Sequence, residues 1–314
     1  MRALYYHRVV DRRAAGDAYG ATAITAAELD AHAAELARNW RVLSLAEVDD
    51  HLASSRPLPA RAVHLSFDDG YRDNLRAAEI FESHGLPWTL FVVADAVLDG
   101  FVPWYVRLAG ALSDAPPEAL AAHGGAARFK EAAKRAVMAA PADRHLAVLA
   151  DLLHAAGLPH HTEALWPFLS VDEVDDLRRR GVEIGNHSAT HPNLTRCSSA
   201  ELDQEVAGSQ ARLEAALGRP VRFFAYPDGR FDRSVVTAVG RTHDIGAATW
   251  TASHPLAPLR LRRFPVGPGV GDLLDVLSPR YPARYRARRA KWELRRQVRR
   301  VATRPRSHGQ HVAG

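Results

Sequence analysis

Val63-His64-Leu65-Ser66-Phe67-Asp68-Asp69-Gly70-Tyr71 is the stretch on which the rest of the chain is organised. The apolar run 62–67 predicts a buried strand, and Gly70 permits a sharp turn directly after it. Two adjacent carboxylates leave the strand end in different directions, so Asp68 and Asp69 are available for different tasks: one to hold a cation, the other to take a proton. The competing reading is a polar strand-to-helix turn, for which Asp-Asp-Gly is suitable chemistry.

More than a hundred residues later a second strand-then-turn segment appears, Val182-Glu183-Ile184-Gly185-Asn186-His187-Ser188-Ala189-Thr190-His191-Pro192. His187 and His191 are four apart, a spacing that lets two imidazoles close on one metal. With Asp69 they form a two-histidine, one-carboxylate set, which suits a catalytic divalent ion with an open position. A histidine pair alone is more often structural. The pair taken with Asp68-Asp69 is far less expected by chance.

On these two stretches the chain resembles the polysaccharide deacetylases, the carbohydrate esterase family with the NodB homology domain. Ser66-Phe67-Asp68-Asp69-Gly70 is similar to that family's first motif, and His187-Ser188-Ala189-Thr190-His191 to its second. The resemblance extends over about residues 1–279. It implies that Asp68 is the catalytic base and that Asp69, His187 and His191 bind a divalent metal, usually Zn2+. It also implies removal of an N-acetyl group from an acetamido sugar. The alternatives are an amide hydrolase of the same fold acting on a small non-sugar substrate, and a non-catalytic carbohydrate- or membrane-binding protein. The intact set of four residues argues against the last.

Leu4-Tyr5-Tyr6-His7-Arg8-Val9-Val10 predicts a first strand with a histidine in its second half. By itself His7 reads as a half-buried strand residue. A similar Tyr-His-x-Val segment opens the deacetylases that act on poly-N-acetylglucosamine, and there the histidine is the general acid. The late strand Leu259-Arg260-Leu261-Arg262-Arg263-Phe264-Pro265-Val266 carries no histidine, as in that branch.

Phe223-Phe224-Ala225-Tyr226-Pro227-Asp228-Gly229 resembles the third family motif. Tyr226, Pro227 and Asp228 are therefore candidates for substrate binding, with the Asp228 amide facing a developing oxyanion. Many members place an arginine two residues before the proline to orient the base, and this chain has Ala225 there. Arg222 lies nearby in sequence without a reason to reach. Trp250 is a candidate wall for the acetyl methyl group, or else a core residue.

Four Ser/Thr-x-x-Glu capping boxes, beginning at Thr25, Ser44, Ser170 and Ser198, each open an apolar-periodic run. Short strand candidates alternate with them at 40–43, 62–67, 88–93, 182–184, 222–226, 245–250 and 261–266. That alternation predicts a parallel α/β sheet, and catalytic residues at strand C-terminal ends suit a barrel. The family resemblance implies a distorted (β/α) barrel of about seven strands; spacing alone does not separate it from an open sheet. Residues 95–166 depart from the rhythm: they are Ala-rich and helical by pattern, broken at Pro116-Pro117, Gly124-Gly125 and Pro141. We expect a helical insertion within a 1–279 barrel, in which Phe101, Trp104 and Tyr105 line a sugar groove or pin the insertion to the barrel.

The 314 residues carry one cysteine, which excludes an internal disulfide framework. The net charge of +5 is divided unevenly. Residues 280–314 hold 12 basic and one acidic side chain, a net +11, which leaves 29 basic and 35 acidic, a net −6, for residues 1–279. The chain enters a strand at once, without the features of a signal peptide, and has no long apolar run. The expectation is a cytoplasmic protein peripheral to the inner face of the membrane, with the basic tail 280–314 touching anionic lipid. A nucleic-acid partner and a solvated tail are the competing readings of that segment.

Overall fold

Ten strands are found among the described residues, and from the third onward helices run between them. The strands are β1 (Arg2–Tyr6), β2 (Arg8–Val10), β3 (Ala23–Thr25), β4 (Arg41–Val42), β5 (Ala62–Phe67), β6 (Thr89–Val92), β7 (Glu183–Asn186), β8 (Phe223–Ala225), β9 (Ile245–Thr249) and β10 (Leu261–Pro265). The computed structural model describes residues 1–13, 22–249 and 257–281. The order β1-β10-β9-β8-β7-β6-β5 closes on itself through a β1–β5 pairing, and every pairing in it is parallel. The result is a closed parallel barrel of seven strands. The short β4 pairs with the start of β5, at Ala62 and Val63, while β6 pairs with its end, at Ser66 and Phe67.

The strand chemistry explains the closure. All six residues of β5 are buried, as expected of a strand packed on both faces. Ala3, Phe91, Phe223, Ala225, Ile245, Ala247 and Leu261 from successive strands form one apolar cluster. Gly185 of β7 is required there, because a Cβ would stand 2.4 Å from the Phe91 ring. All four capping boxes form with both halves present, at Thr25/Glu28, Ser44/Glu47, Ser170/Glu173 and Ser198/Glu201.

One sequence expectation is corrected. Residues 4–10 are not a single strand: β1 ends at Tyr6, β2 begins at Arg8, and β2 leaves the barrel to pair with β3 in a separate two-stranded sheet. His7 sits at the break, with its carbonyl accepting a hydrogen bond from Asn74 Nδ2 at 2.8 Å.

Between β6 and the capped helix Val171–Arg179 that precedes β7 run helices Ala94–Asp99, Trp104–Ser113, Pro117–Ala122, Ala126–Ala139 and His145–Ala155. The breaks fall where proline and glycine were expected: Pro117 opens a helix, and Gly124 and Gly125 both take positive φ. Trp104, Leu108, Phe129, Val137, Leu149 and Leu153 give these helices a core of their own. At 20–33 cal/mol per Å2, burying such side chains is worth about 1.5–3 kcal/mol each.

The chain forms two compact units, Met1–Val270 and a second beginning at Gly271. Of the second, residues to Tyr281 are described; it carries most of the helix Val270–Leu277, with Leu273, Val276 and Leu277 buried. The basic tail beyond Tyr281 and Trp250 lie outside the described residues. No helix among the described residues is long and apolar enough to cross a membrane.

Candidate active site

The strand ends on one side of the barrel surround a cavity of about 280 Å3. Asp68 and Asp69, directly after β5, line it together with His187 and His191, which follow β7. His7 from the β1–β2 break and Tyr226 and Asp228 after β8 complete the meeting of the sequence-selected residues. Pro227 is buried behind its neighbours and does not line the cavity.

Asp69, His187 and His191 each offer one ligand atom, and these atoms lie within 4.8 Å of one another. Nε2 of His187 is 3.6 Å and Nε2 of His191 3.8 Å from the same Asp69 oxygen, Oδ1. Nδ1 of His187 donates to the Ala225 carbonyl at 2.8 Å, which turns Nε2 toward Asp69. The backbone is bent to make this arrangement. Asp69, Ser188, His191 and Asp228 all have positive φ, between 53° and 78°. Such strain persists only where surrounding contacts impose it, and it concentrates at functional sites. At the histidine loop those contacts are visible. The His191 amide donates to Ser188 Oγ at 3.0 Å, and the amide and hydroxyl of Thr190 donate to Glu205 at 3.0 and 2.6 Å. Glu205 stands in a π-helical turn, Gln204–Gly208, a feature common near functional sites.

The two neighbouring aspartates are tuned in opposite directions. Burial pushes Asp69 up, the adjacent Asp68 adds to this, and the facing hydroxyls of Tyr105 and Tyr71 only partly oppose it, so its carboxyl reaches about 8. A buried carboxyl without a counter-charge, beside two imidazoles, fits a divalent cation. Burial also acts upward on Asp68, but the Arg263 guanidinium, His187 and the Arg263 hydrogen bonds outweigh it and hold that carboxyl below the ordinary range.

Arg263 is the residue that orients Asp68. Its Nη1 donates to Asp68 Oδ1 at 2.5 Å and its Nη2 to Oδ2 at 2.8 Å, a bidentate pair. Nη1 also donates to Ser66 Oγ at 3.0 Å, and Ser66 in turn donates to the Leu4 carbonyl at 3.0 Å. The guanidinium lies between the rings of Tyr5 and Phe91, 5.1 and 5.0 Å from their centroids. Arg222 instead pairs on the outside with Asp244 and Asp49. The arginine absent at Ala225 is thus supplied from β10. The available signal was a charge on the inward side of a strand, in register with buried Leu261.

The carboxylate of Asp228 also enters the cavity, where Lys134 Nζ from the helix Ala126–Ala139 meets it at 2.5 Å. Burial acts upward on this carboxyl, and Lys134 and then His191 bring it below the ordinary range. The Tyr226 hydroxyl is committed to the Leu259 carbonyl at 2.9 Å, so its ring is a wall rather than a donor. Trp104 both lines the cavity and packs in the insertion core, and the Tyr105 ring lies 4.7 Å from that of His191. Phe101 does not reach the cavity. Burial pushes the His7 imidazole down to about 4, with nearby Asp68 pulling it the other way.

A family model for polysaccharide deacetylases matches residues 55–243, more than half of the chain and spanning both carboxylates and both histidines. The chain belongs to the polysaccharide deacetylase family. Among solved structures it is similar to the Streptococcus pyogenes deacetylase PplD in complex with acetate, with a TM-score of 0.61, 17% identity, and coverage of 89% of this chain and 98% of that one. It is similar to a polysaccharide deacetylase from Bacillus cereus, at a TM-score of 0.58, 18% identity, and coverage of 88% and 68%. IcaB from Ammonifex degensii aligns at a TM-score of 0.56, with 17% identity and coverage of 85% and 91%. At these identities the likeness is one of fold. Among curated proteins, the uncharacterized YlxY of Bacillus subtilis (strain 168) is 26% identical over 89 residues, which span 28% of each chain.

Proposed function

We propose that this polysaccharide deacetylase removes the N-acetyl group from an acetamido sugar of a glycan or precursor saccharide, and does so with a bound divalent metal. The observation that carries the reading is the gathering of Asp69, His187 and His191 within 4.8 Å, next to an Asp68 kept ionised by Arg263. The donor set fits zinc best: two imidazole nitrogens and a carboxylate oxygen, with room left for further ligands. Bound there, the ion supplies Lewis acidity toward the acetamide oxygen and water.

The chain's own residues divide the remaining work. Asp68, ionised at neutral pH, accepts the proton of the attacking water, and Arg263 keeps its carboxylate aimed and charged. The Asp228 amide is assigned to the oxygen on which negative charge develops. The amine leaves only when protonated, and we assign that proton to His7, which lines the cavity. Burial leaves His7 neutral at rest, so it must first receive a proton, which the negative charge of Asp68 favours. The products are acetate and a free amino sugar. For the basic segment 280–314 we propose contact with an anionic membrane surface at a cytoplasmic location, on the strength of its net +11. Co-sedimentation with anionic vesicles, compared between the full chain and residues 1–279, tests that contact.

The test of the reaction is mass spectrometry of N-acetylated oligosaccharides and of a small non-sugar acetamide incubated with metal-loaded protein. Loss of one acetyl group from the oligosaccharides, with release of acetate, is expected. Turnover of the small acetamide alone would replace the sugar reading with an amide hydrolase of the same fold.

A further inference from the structure

Beside the site cavity runs a second, open groove of about 510 Å3, lined among others by Arg135, Asn193, Thr195, Arg196 and Arg230. Its three arginines are exposed, and among the described residues no ion pair or hydrogen bond engages their guanidinium groups. Elsewhere on this surface arginines find carboxylates: Arg72 with Glu173, Arg180 with Glu82, Arg212 with Asp95, Arg222 with Asp244. The acid that borders the groove, Asp232, is committed to a helix start, where its Oδ1 accepts from the Val235 amide at 3.0 Å and Ser234 Oγ at 2.6 Å. Arg230 acts on Asp228, which is already paired with Lys134, and Asp232 stays ionised, so the three exposed guanidinium groups outnumber the two carboxylates near them and leave an excess of positive charge for an anion to meet.

The groove and the cavity share three walls. Lys134 faces the cavity and Arg135 the groove; His191 faces the cavity and Asn193 the groove; Asp228 faces the cavity and Arg230 the groove. The groove is also preformed. Buried Asn193 donates from Nδ2 to the Met138 carbonyl at 2.7 Å, and its Oδ1 accepts from the Thr195 hydroxyl at 2.9 Å. A saccharide that places its acetamide in the cavity and extends past these shared walls brings its neighbouring unit to the arginines. Guanidinium forks match the oxygens of a phosphate ester in bidentate fashion.

The geometry points to this groove as a subsite for a phosphate ester on the substrate saccharide, next to the acetamido sugar that enters the cavity. The inference rests on the proposed deacetylation and narrows its substrate to phosphorylated saccharides. The test uses the full, metal-loaded chain and two N-acetylated oligosaccharides that differ only in a phosphate monoester on the neighbouring unit. The phosphorylated one should show a kcat/KM higher by about ten-fold or more, expressed in KM. The advantage should shrink at high salt. In Arg135→Gln/Arg196→Gln/Arg230→Gln the ratio between the two substrates should fall toward one. A ratio near one in the wild-type chain, or a preference that survives the triple substitution, would overturn the subsite. If the triple variant does not fold, Arg135→Gln and Arg230→Gln singly should each lower the ratio, and an unchanged ratio in both would overturn it.

Calorimetric binding of the same two saccharides separates this inference from the reaction on which it rests. If neither is deacetylated but the phosphorylated one binds about ten-fold tighter, and only with the arginines present, the subsite stands and the reaction fails. Equal binding of the two would overturn the subsite. Phosphatidylglycerol vesicles test the other source of phosphate: vesicle binding that disappears in the triple variant would overturn the saccharide assignment in favour of a lipid headgroup.

Discussion

Arg263 of β10 and Asp68, 195 residues apart in sequence, meet through two charge-assisted hydrogen bonds of 2.5 and 2.8 Å inside the barrel, at a point where Arg263 is fully buried. Arg263→Met should leave Asp68 buried without a partner, which destabilises a protein by about 3–5 kcal/mol. The carboxyl should also rise toward protonation, so acetate release should fall about a hundred-fold or more at neutral pH, with the acid limb of the pH profile moved upward. Arg263→Met combined with Asp68→Asn should recover part of the lost stability, because the uncompensated charge is gone. Denaturant unfolding of the single and double variants, with acetate assays of the single one, is the check. Wild-type stability and pH profile in Arg263→Met would remove the arginine from this role.

Glu205 holds the histidine loop from a distance. Glu205→Gln keeps the shape but weakens two hydrogen bonds to Thr190, and the positive φ at Ser188 and His191 loses support. Metal affinity should drop about 10- to 100-fold, the range for groups that orient ligands without touching the ion. Equilibrium dialysis against a competing chelator measures it, and unchanged affinity would show that the loop keeps its form unaided.

His7→Ala should retain fold and metal and lose amide cleavage. An activated ester has a leaving group that needs little protonation, so its hydrolysis should suffer less. Parallel assays of the two substrates decide the matter, since equal losses on both argue against a proton donor at this position.

Acid should destabilise the barrel through histidines outside the site. Burial pushes both His64 and His243 down to about 4. An unfolded imidazole takes up its proton near 6.5, so between about 6.5 and about 4 the unfolded chain binds more protons than the folded one. Stability should therefore fall as pH drops through that window, by up to about 1.4 kcal/mol per pH unit for each group, and level off below it. His64→Asn retains a donor for the Leu43 carbonyl, which His64 Nδ1 meets at 3.0 Å, and removes one titration. Its unfolding midpoint should depend less on pH in this range, and an identical dependence would place the acid sensitivity elsewhere.

What the sequence disclosed and what it concealed differ in the distance over which the information is carried. Asp68-Asp69-Gly70 and His187/His191 were legible because each is a strand end followed by a local turn, and the spacing within a turn is preserved by folding. The capping boxes were legible for the same reason. Arg263, Lys134 and Glu205 were not, because each reaches the site only once the barrel has closed, the insertion has docked or a π turn has formed. The break at His7 was concealed by β propensity on both sides of it. The β2–β3 pairing that bends the chain there depends on residues from Ala23 onward.

The central claim is that Asp69 holds the metal while its neighbour Asp68 moves the proton, and one paired measurement tests it most directly. Asp68→Asn and Asp69→Asn are each dialysed with zinc, assayed for bound metal by atomic absorption and for acetate released from an N-acetylated oligosaccharide. The account predicts that Asp68→Asn keeps its metal and loses nearly all acetate release, whereas Asp69→Asn loses metal and activity together. Near wild-type acetate release by Asp68→Asn, or full metal occupancy in Asp69→Asn, would contradict it.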